Sequence, residues 1–194
     1  MDKTQKFYSE NAWTFFENTL DSNMKSIYKN FEKNLKPKDK ILDLGCGSGR
    51  DSIYFKNKGF KVVSIDYSKE LCKIAKEKLN LDIICMDMRD IHYSNEFNGI
   101  WACASLLHIE KKEILELLET CYNSLQDKGI MYLSFKQGQG EREIEKRFFN
   151  FYDEDTLIRL ISCTKFKINK IWITEDVRKE HIDVKWLNAI IRKE

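Results

Sequence analysis

The sequence is poor in proline and histidine and carries almost no net charge. It has one proline, three histidines, and 33 basic against 31 acidic side chains, which gives a formal net charge of +2. This balance argues against a protein whose binding is dominated by attraction to the phosphate backbone of nucleic acids. Nucleic acid is not excluded as a partner, because a local basic patch is compatible with this net charge, but it is not favoured. The chain shows no leader-like N-terminus and no apolar run long enough to span a bilayer, so we expect a cytoplasmic protein without a membrane partner.

The six cysteines are dispersed and form no C-x-x-C pair. Because most of them fall in apolar strand or helix patterns, the sequence predicts buried, reduced thiols, with neither disulfides nor a metal site. A chain of 194 residues with 42% hydrophobic side chains can bury one substantial core. We therefore expect a single domain over residues 1–194, present as a monomer or a homodimer.

The clearest motif is KILDLGCGSGRDSIYF at residues 40–55. A short apolar strand leads into Gly45, Gly47 and Gly49, and a helix starts directly after them, which predicts a loop where a ligand can approach the backbone. The dinucleotide fingerprint G-x-G-x-x-G would need glycine where Arg50 stands, and the phosphate-binding P-loop would need a Gly-Lys-Ser/Thr sequence that is absent. The loop therefore indicates a nucleotide-like cofactor without a pyrophosphate or a triphosphate.

Further apolar segments follow at the spacing of alternating strands and helices. Predicted strands cover residues 60–65, 81–87, 97–108 and 128–135. This pattern predicts an α/β, Rossmann-like doubly wound sheet, mostly parallel, with helices on both faces and an antiparallel C-terminal edge whose turn runs through residues 176–180. Ligands bind outside the carboxyl ends of such strands, so the glycine loop, Asp66 and Asp87 should converge on one crevice.

At this point the sequence resembles the class I S-adenosylmethionine-dependent methyltransferases over nearly its whole length. The matching segments are DLGCGSG at 43–49, VVSID at 62–66, CMDM at 85–88 and FNGIWACASLLH at 97–108. Within that family the chain looks most similar to small bacterial methyltransferases of the tellurite-resistance type and their uncharacterised relatives. One departure is Asn98, where family members often have aspartate before the fourth strand.

The resemblance implies S-adenosylmethionine as cofactor and S-adenosylhomocysteine as product. It implies that the backbone of residues 45–49 approaches the methionine part, that Asp66 holds the ribose and that Asp87 accepts from the adenine amino group. A guanidinium can bind a carboxylate through two parallel hydrogen bonds, which makes Arg50 a candidate partner of the methionine carboxylate. The predicted cofactor-binding residues are Tyr8, Asp43, Gly45, Cys46, Gly47, Gly49, Arg50, Asp66, Tyr67, Asp87, Met88, Ala104 and Ser105.

Three stretches outside this crevice are candidates for binding a methyl acceptor. An aromatic N-terminal segment is expected to form a helical lid within residues 1–36, a loop after the fifth strand combines basic and aromatic residues, and the C-terminal strands add further candidates. Each stretch has a plain structural alternative, namely aromatic packing on the sheet edge, a solvated salt-bridged loop, or a solvated hairpin. The predicted acceptor-binding residues are Trp13, Lys136, Arg142, Arg147, Phe148, Tyr152, Trp172 and Arg178.

His108 follows the fourth strand where an acceptor must approach, and it is the candidate catalytic residue, either as a general base or as a binding group. The predicted reaction is transfer of a methyl group by in-line displacement to an oxygen, nitrogen or sulfur nucleophile of a small molecule, with the enzyme aligning and desolvating the reactants. The mixture of cations and aromatics favours an acceptor with an anionic group. The alternatives are a tRNA or protein acceptor and a non-catalytic cofactor-binding subunit.

Overall fold

A computed structural model describes residues 3–178 and 183–194 of the chain. The N-terminal part forms helices α1 (Lys3–Glu10), α2 (Ala12–Leu20) and α3 (Lys25–Glu32). Strands and helices then alternate as β1 (Lys40–Leu44), α4 (Arg50–Asn57), β2 (Lys61–Asp66), α5 (Lys69–Leu79), β3 (Ile84–Cys85), β4 (Phe97–Ala102) and α6 (Lys111–Ser124). The C-terminal part holds β5 (Leu125–Lys136), β6 (Gly140–Ile144), β7 (Arg147–Phe151), α7 (Glu154–Ser162), β8 (Lys167–Glu175) and β9 (Lys185–Arg192).

In this described part of the chain, seven strands form one sheet in the order β3-β2-β1-β4-β5-β9-β8. The first five run parallel, whereas β9 is antiparallel to both of its neighbours. This confirms the predicted Rossmann-like, mostly parallel sheet with an antiparallel C-terminal edge. The register pairs Leu44 with Ile65 and Asp66 with Cys85, so the carboxyl ends of β1, β2 and β3 lie together at one edge of the sheet.

Alternate residues of the central strands pack into two hydrophobic cores, one on each face of the sheet. On one face, Leu42 of β1 and Ile100 of β4 belong to a largely aliphatic cluster together with α6. On the opposite face, Trp101 joins Phe31 of α3 and Phe55 of α4 in an aromatic cluster, and all three side chains are fully buried. Because side chains alternate across a strand, both faces of the sheet are covered and the strand ends become rigid supports for the loops that follow them.

The segment after β5 was expected to be a loop, and that prediction is wrong. Residues 140–151 form the antiparallel hairpin β6–β7, in which Phe149 and Phe151 are buried. Its turn residues Glu145 and Lys146 have φ angles of 49° and 64°. Tight hairpin turns need positive φ at both central positions and are usually built from Asn or Gly, so Glu-Lys gave no signal in the sequence.

Two other elements differ in extent from the sequence-based expectation. Strand β3 pairs only through Ile84 and Cys85, because the chain then turns and Asp87 caps a short 3-10 turn at Met88–Asp90. The predicted N-terminal helix is interrupted at Asn11, so α1 and α2 are separate helices. The predicted turn at 176–180 falls partly on residues 179–182, which lie outside the described residues. None of the helices in the described ranges combines the length and the apolar character needed to cross a membrane.

Candidate active site

A cavity of about 540 Å³ lies at the carboxyl ends of the parallel strands. Its floor is formed by the glycine loop after β1, the end of β2 at Asp66 and the segment that follows β4. Helix α1 and the hairpin β6–β7 contribute the opposite wall. Its volume is in the range of small-molecule sites, roughly 300–1,000 Å³. We call the end at the glycine loop the cofactor half and the end at Lys136 the acceptor half.

The glycine loop is shaped by backbone conformations that disfavour other residues. Gly45 has a φ of +79°, and a Cβ on it would lie 2.5 Å from Cβ of Ser105. The N–H groups of Gly45 and Cys46 both donate to the carbonyl oxygen of Ile65, which ties the loop to β2. The loop therefore presses against the segment after β4 and exposes bare backbone toward the cavity.

The carboxylate of Asp66 organises the same loop. It accepts hydrogen bonds from the N–H of Gly47 at 2.8 Å and from the N–H of Ser68 at 2.9 Å. Burial raises the pKa of Asp66, and these backbone hydrogen bonds only partly oppose that effect. A carboxylate has about four acceptor sites, so Asp66 keeps capacity for ligand hydroxyls on its cavity side.

Arg50 is held by a residue that the sequence analysis did not single out. Its Nε and Nη2 donate to the two carboxylate oxygens of Asp51 at 2.6 and 2.9 Å, and Asp51 also accepts from Tyr28 and Trp101. Burial alone would raise the pKa of Asp51, but the Arg50 charge and these hydrogen bonds bring it below its ordinary value. Arg50 therefore uses Nε and Nη2 to bind the carboxylate of Asp51 rather than that of a ligand. No described residue accepts a hydrogen bond from Nη1 of Arg50, so this nitrogen can bind a ligand. The only signal for Asp51 was its place in the first turn of the helix after the loop.

Asp87 and Met88 line the cofactor half on its far side. Asp87 is gripped by Arg89, whose Nε and Nη2 donate to its two carboxylate oxygens at 3.0 and 2.6 Å. Burial opposes ionisation, but the Arg89 contacts leave the pKa of Asp87 below its ordinary value. Arg89 is itself anchored by Glu113. Asp87 is therefore an ionised acceptor that is already positioned at the edge of the cavity.

The turn after β4 carries two features that point into the cavity. Ala104 has a φ of +52°, a conformation that residues with a Cβ seldom take, and its N–H donates to Oγ of Ser134. Ser105 follows it, and its buried Oγ has no hydrogen-bond partner among the described residues. A strained turn beside an unpaired buried hydroxyl is typical of a site that a ligand completes.

His108 is held between two elements that lie far from it in the sequence. Its Nδ1 lies 2.7 Å from the carbonyl oxygen of Phe148, and its Nε2 lies 2.9 Å from the hydroxyl of Tyr8. A carbonyl can only accept, so Nδ1 carries the hydrogen and Nε2 of the neutral ring accepts from Tyr8. Burial is the main reason that the pKa of Tyr8 is raised. His108 lines the cavity, and its Nε2 is joined there to the hydroxyl of Tyr8.

The acceptor half combines cations with aromatic walls. Lys136 at the end of β5, Arg147 at the start of β7 and Arg178 after β8 all line it. Arg178 donates from Nε and Nη2 to Asp176, which also accepts from Trp186. This part of the cavity was assembled from three separate stretches of the sequence.

Part of the chain is similar to a known family. Residues 41–129, from β1 into β5, match a family whose description is "Methyltransferase domain". The glycine loop and Asp66 lie within this matched part.

The relatives of this domain differ in function and size. The chain is 27% identical over 150 residues to the carboxy-S-adenosyl-L-methionine synthase of Helicobacter pylori (strain Shi470), a match that spans 74% of this chain and 62% of that protein. It is 29% identical over 119 residues to an uncharacterized methyltransferase of Staphylococcus carnosus (strain TM300), spanning 59% of this chain and 58% of that protein. The chain covers 43 to 62% of the length of these and a further curated relative.

Among solved structures, the fold matches 1,6-didemethyltoxoflavin-N1-methyltransferase of Burkholderia thailandensis with a TM-score of 0.81. The two chains are 18% identical, and the match covers 97% of this chain and 86% of that one. That structure holds 1,6-didemethyltoxoflavin and S-adenosylhomocysteine. At this identity the likeness shows a shared fold.

The cofactor half of the cavity fits S-adenosylmethionine. The bare backbone at Gly45, the unpaired hydroxyl of Ser105 and the open acceptor sites of Asp66 suit a ligand with an amino-acid end and ribose hydroxyls. The predicted cofactor residues that line the cavity are Tyr8, Gly45, Cys46, Gly47, Arg50, Asp66, Tyr67, Asp87, Met88, Ala104 and Ser105.

Two predicted cofactor residues stand behind the cavity rather than in its lining. Asp43 is buried and accepts from Oγ of Ser52 at 2.6 Å, so it supports the start of α4. Gly49 is the N-cap of α4, and a Cβ on it would lie 2.7 Å from Leu81. Both residues shape the loop of the domain from beneath.

Four predicted acceptor residues also lie outside the described lining of the cavity. Trp13 is 47% exposed on α2 and stacks on Phe16. Arg142 is exposed on β6 and lies over the ring of Phe151. The other two pack into the protein, Tyr152 against Phe135 and Trp172 beside Tyr132 at the sheet edge. The structure therefore separates these four from Lys136, Arg147, Phe148 and Arg178, which do line the cavity.

Proposed function

We propose that the protein transfers the methyl group of S-adenosylmethionine to an oxygen, nitrogen or sulfur nucleophile of a small molecule. The observation that carries this proposal is the continuity of one cavity from the glycine loop to Lys136, with Tyr8 between the two halves. The near-neutral charge of the chain and the size of the cavity favour a small acceptor over tRNA or protein. The finer likeness to methyltransferases of the tellurite-resistance type stays a prediction.

In this proposal the cofactor supplies an electrophilic methyl group on a sulfonium, and the chain has to bind, orient and exclude water. Asp66 accepts from the ribose hydroxyls, and the backbone of residues 45–49 lies against the amino-acid end. Nη1 of Arg50 is positioned to bind the carboxylate of that end, since Asp51 fixes the guanidinium. Asp87 accepts from the adenine amino group.

Tyr8 and His108 handle the proton of the acceptor. The hydroxyl of Tyr8 can take the proton from the acceptor atom while it passes its own proton to Nε2 of His108. The resulting imidazolium keeps its Nδ1–H bonded to the carbonyl oxygen of Phe148, which stabilises the charge. In this relay Tyr8 is the residue that touches the acceptor, and His108 acts through it.

We propose further that residues 1–36 act as a lid on a single domain. Tyr8 and Phe15 line the cavity from α1 and α2, and their rings meet edge to face with centroids 5.1 Å apart. Phe15 also covers Gly47, since a Cβ there would lie 3.1 Å from its ring. A lid of this kind excludes water from the reacting atoms.

The test measures binding and methyl transfer separately. Calorimetry with S-adenosylhomocysteine and with NAD should show binding of the first alone, because Arg50 replaces the third glycine of the dinucleotide fingerprint. Transfer of labelled methyl groups is then compared between a small-molecule library and bulk tRNA at two salt concentrations. Methylation of tRNA with steep loss of binding at high salt would refute the small-acceptor proposal. Binding of S-adenosylhomocysteine without any transfer would favour the non-catalytic alternative.

A further inference from the structure

The acceptor half contains a positive charge that the described residues do not neutralise. Lys136 ends β5 with its side chain in the cavity lining, and no carboxylate or other acceptor among the described residues pairs with its Nζ. Burial, followed by the like charges of Arg147 and Arg178, lowers the pKa of Lys136. A half-buried cation beside other cations is destabilising, and a bound anion would offset that cost.

Arg147 is only partly engaged by the protein. Its Nη2 donates to the exposed Glu145 at 2.6 Å, whereas its buried Nε has no hydrogen-bond partner among the described residues. Its guanidinium lies between two aromatic rings, with Cζ 4.3 Å from the centre of Phe7 and 5.2 Å from that of Phe149. The rings flank the guanidinium, and its Nε–H stays without a partner among the described residues, although Arg147 also contacts Tyr8.

Phe149 brings the two cations together and places them near the proton relay. Nζ of Lys136 lies 4.2 Å from the centre of the same Phe149 ring that Arg147 approaches. The ring of His108 is tilted against Phe149 with centroids 5.0 Å apart. Both cations therefore lie about one aromatic ring away from His108, at the end of the cavity remote from the glycine loop.

The carboxylates that line the cavity do not compete strongly for this charge. Asp176 is occupied by Arg178 and Trp186, and Glu143 pairs with Lys3 at 2.8 Å. Of the carboxylates among the described lining residues, Glu175 and Asp66 lack such a side-chain partner, but Glu175 is exposed and Asp66 is held by backbone N–H groups in the cofactor half. Lys136 and the free edge of Arg147 are thus available to an anion.

We propose that the methyl acceptor carries an anionic group, a carboxylate or a phosphate, which binds between Lys136 and Nε of Arg147 against the ring of Phe149. The acceptor's nucleophilic atom then lies about one ring width away, beside Tyr8. This inference rests on the proposed function, because it names the acceptor of that same cavity. It also explains why the cationic end is walled by Phe148 and Phe149, since apolar walls exclude water and strengthen the charge interaction.

The probes are pairs of an anionic molecule and a neutral counterpart. Hydroxy-, amino- and mercaptobenzoates are each compared with their carboxamides, and hydroxyphenyl phosphates with the corresponding phenols. Binding to the wild-type protein saturated with S-adenosylhomocysteine is measured by calorimetry, and methyl transfer from labelled S-adenosylmethionine is measured in parallel. We expect at least one anion to bind about tenfold or more tightly than its neutral partner. The carboxylate and phosphate arms identify which anion is used.

Lys136→Met removes the charge and keeps the length of the side chain. It should reduce the preference for the anion to less than about twofold and leave the affinity for S-adenosylhomocysteine unchanged. Lys165→Met is the matched control, because Lys165 lies over the ring of Tyr122 outside the cavity and its loss changes the total charge equally. Arg147→Gln should weaken the same preference independently.

Three results would overturn the acceptor proposal alone. They are equal binding within every matched pair, an anion preference that persists in Lys136→Met, and loss of S-adenosylhomocysteine affinity in Lys136→Met, which would assign the cations to the cofactor. Failure of the wild-type protein to bind S-adenosylhomocysteine would instead refute the proposed function, and the acceptor proposal with it.

Discussion

Gly45→Ala tests the contact on which the cofactor half depends. Gly45 has a φ of +79°, and a Cβ there would lie 2.5 Å from Cβ of Ser105 and 3.2 Å from Cε of Met88. Gly59 is a natural control, because its φ is +88° and a Cβ on it would meet no described atom within 4 Å. Gly59→Ala therefore carries the backbone cost alone, whereas Gly45→Ala adds the overlap with Ser105.

The magnitudes of the two effects are separable. A side chain in the left-handed region costs roughly 1–2 kcal/mol, and the reduced freedom of the unfolded chain returns roughly 0.5–1 kcal/mol. We expect Gly59→Ala to lower the free energy of unfolding by roughly 0.5–1 kcal/mol. Overpacking adds roughly 1–3 kcal/mol, so Gly45→Ala should lose roughly 1.5–4 kcal/mol in total. For a chain of this size that loss lowers Tm by roughly 3–16 °C.

The affinity for S-adenosylhomocysteine should also differ between the two variants. Because Gly45 and Ser105 both line the cofactor half, their forced separation should weaken binding of S-adenosylhomocysteine by about tenfold or more. Gly59→Ala should bind it normally, since Gly59 lies outside the described lining of the cavity. The measurements are urea unfolding and calorimetry on both variants.

A second substitution identifies the overlapping atom. Adding Ser105→Gly to Gly45→Ala removes the Cβ that lies in the way and should recover part of the lost stability. Our account of the loop would be refuted if Gly45→Ala were no less stable than Gly59→Ala and bound S-adenosylhomocysteine with an unchanged Kd.

The other predictions concern three side chains around the cavity. Asp66→Asn should weaken S-adenosylhomocysteine binding by roughly 1–3 kcal/mol in calorimetry, because the amide loses acceptor capacity toward the ribose hydroxyls. Tyr8→Phe should lower kcat for the acceptor by roughly 100-fold or more through loss of the proton path to His108, with a smaller effect on cofactor affinity. Asp176→Asn should make the free energy of unfolding fall less steeply as the pH is lowered below 5. Burial opposes ionisation there, yet the hydrogen bonds of Arg178 and Trp186 bring the pKa of Asp176 to about 2. Its folded pKa is depressed, so its contribution is complete above about pH 5 and is lost as the pH falls through 3.8 toward 2.

Each of these has an outcome that would contradict it. An unchanged Kd in Asp66→Asn would place the ribose elsewhere, and an unchanged kcat in Tyr8→Phe would remove the hydroxyl from the proton path. Urea unfolding between pH 2 and 5 with the same slope in Asp176→Asn and in the wild type would mean that other carboxylates set the acid limb.

Much of the fold was determined by local sequence. The alternation of apolar segments predicted a mostly parallel sheet with an antiparallel C-terminal edge, and the glycines at 45, 47 and 49 predicted a loop with bare backbone after β1. Asp66 and Asp87 were found for the same reason, since each follows directly on a predicted strand. Such features depend on φ restrictions and side-chain alternation within a few residues, which a sequence displays openly.

The partners of the site residues were decided only by tertiary structure. Tyr8 and His108 are 100 positions apart and meet because α1 packs against the hairpin β6–β7, an element that its Glu-Lys turn concealed. The same hairpin brings Arg147 into the lining of the cavity and leaves Arg142 outside that lining. Asp51 occupies the two nitrogens of Arg50 because the aromatic core around Trp101 buries both residues and the buried guanidinium requires a fixed counter-charge. Packing between distant segments decided which of the candidate residues lie in the cavity. The sequence could not predict this, because contacts between distant segments have no local pattern.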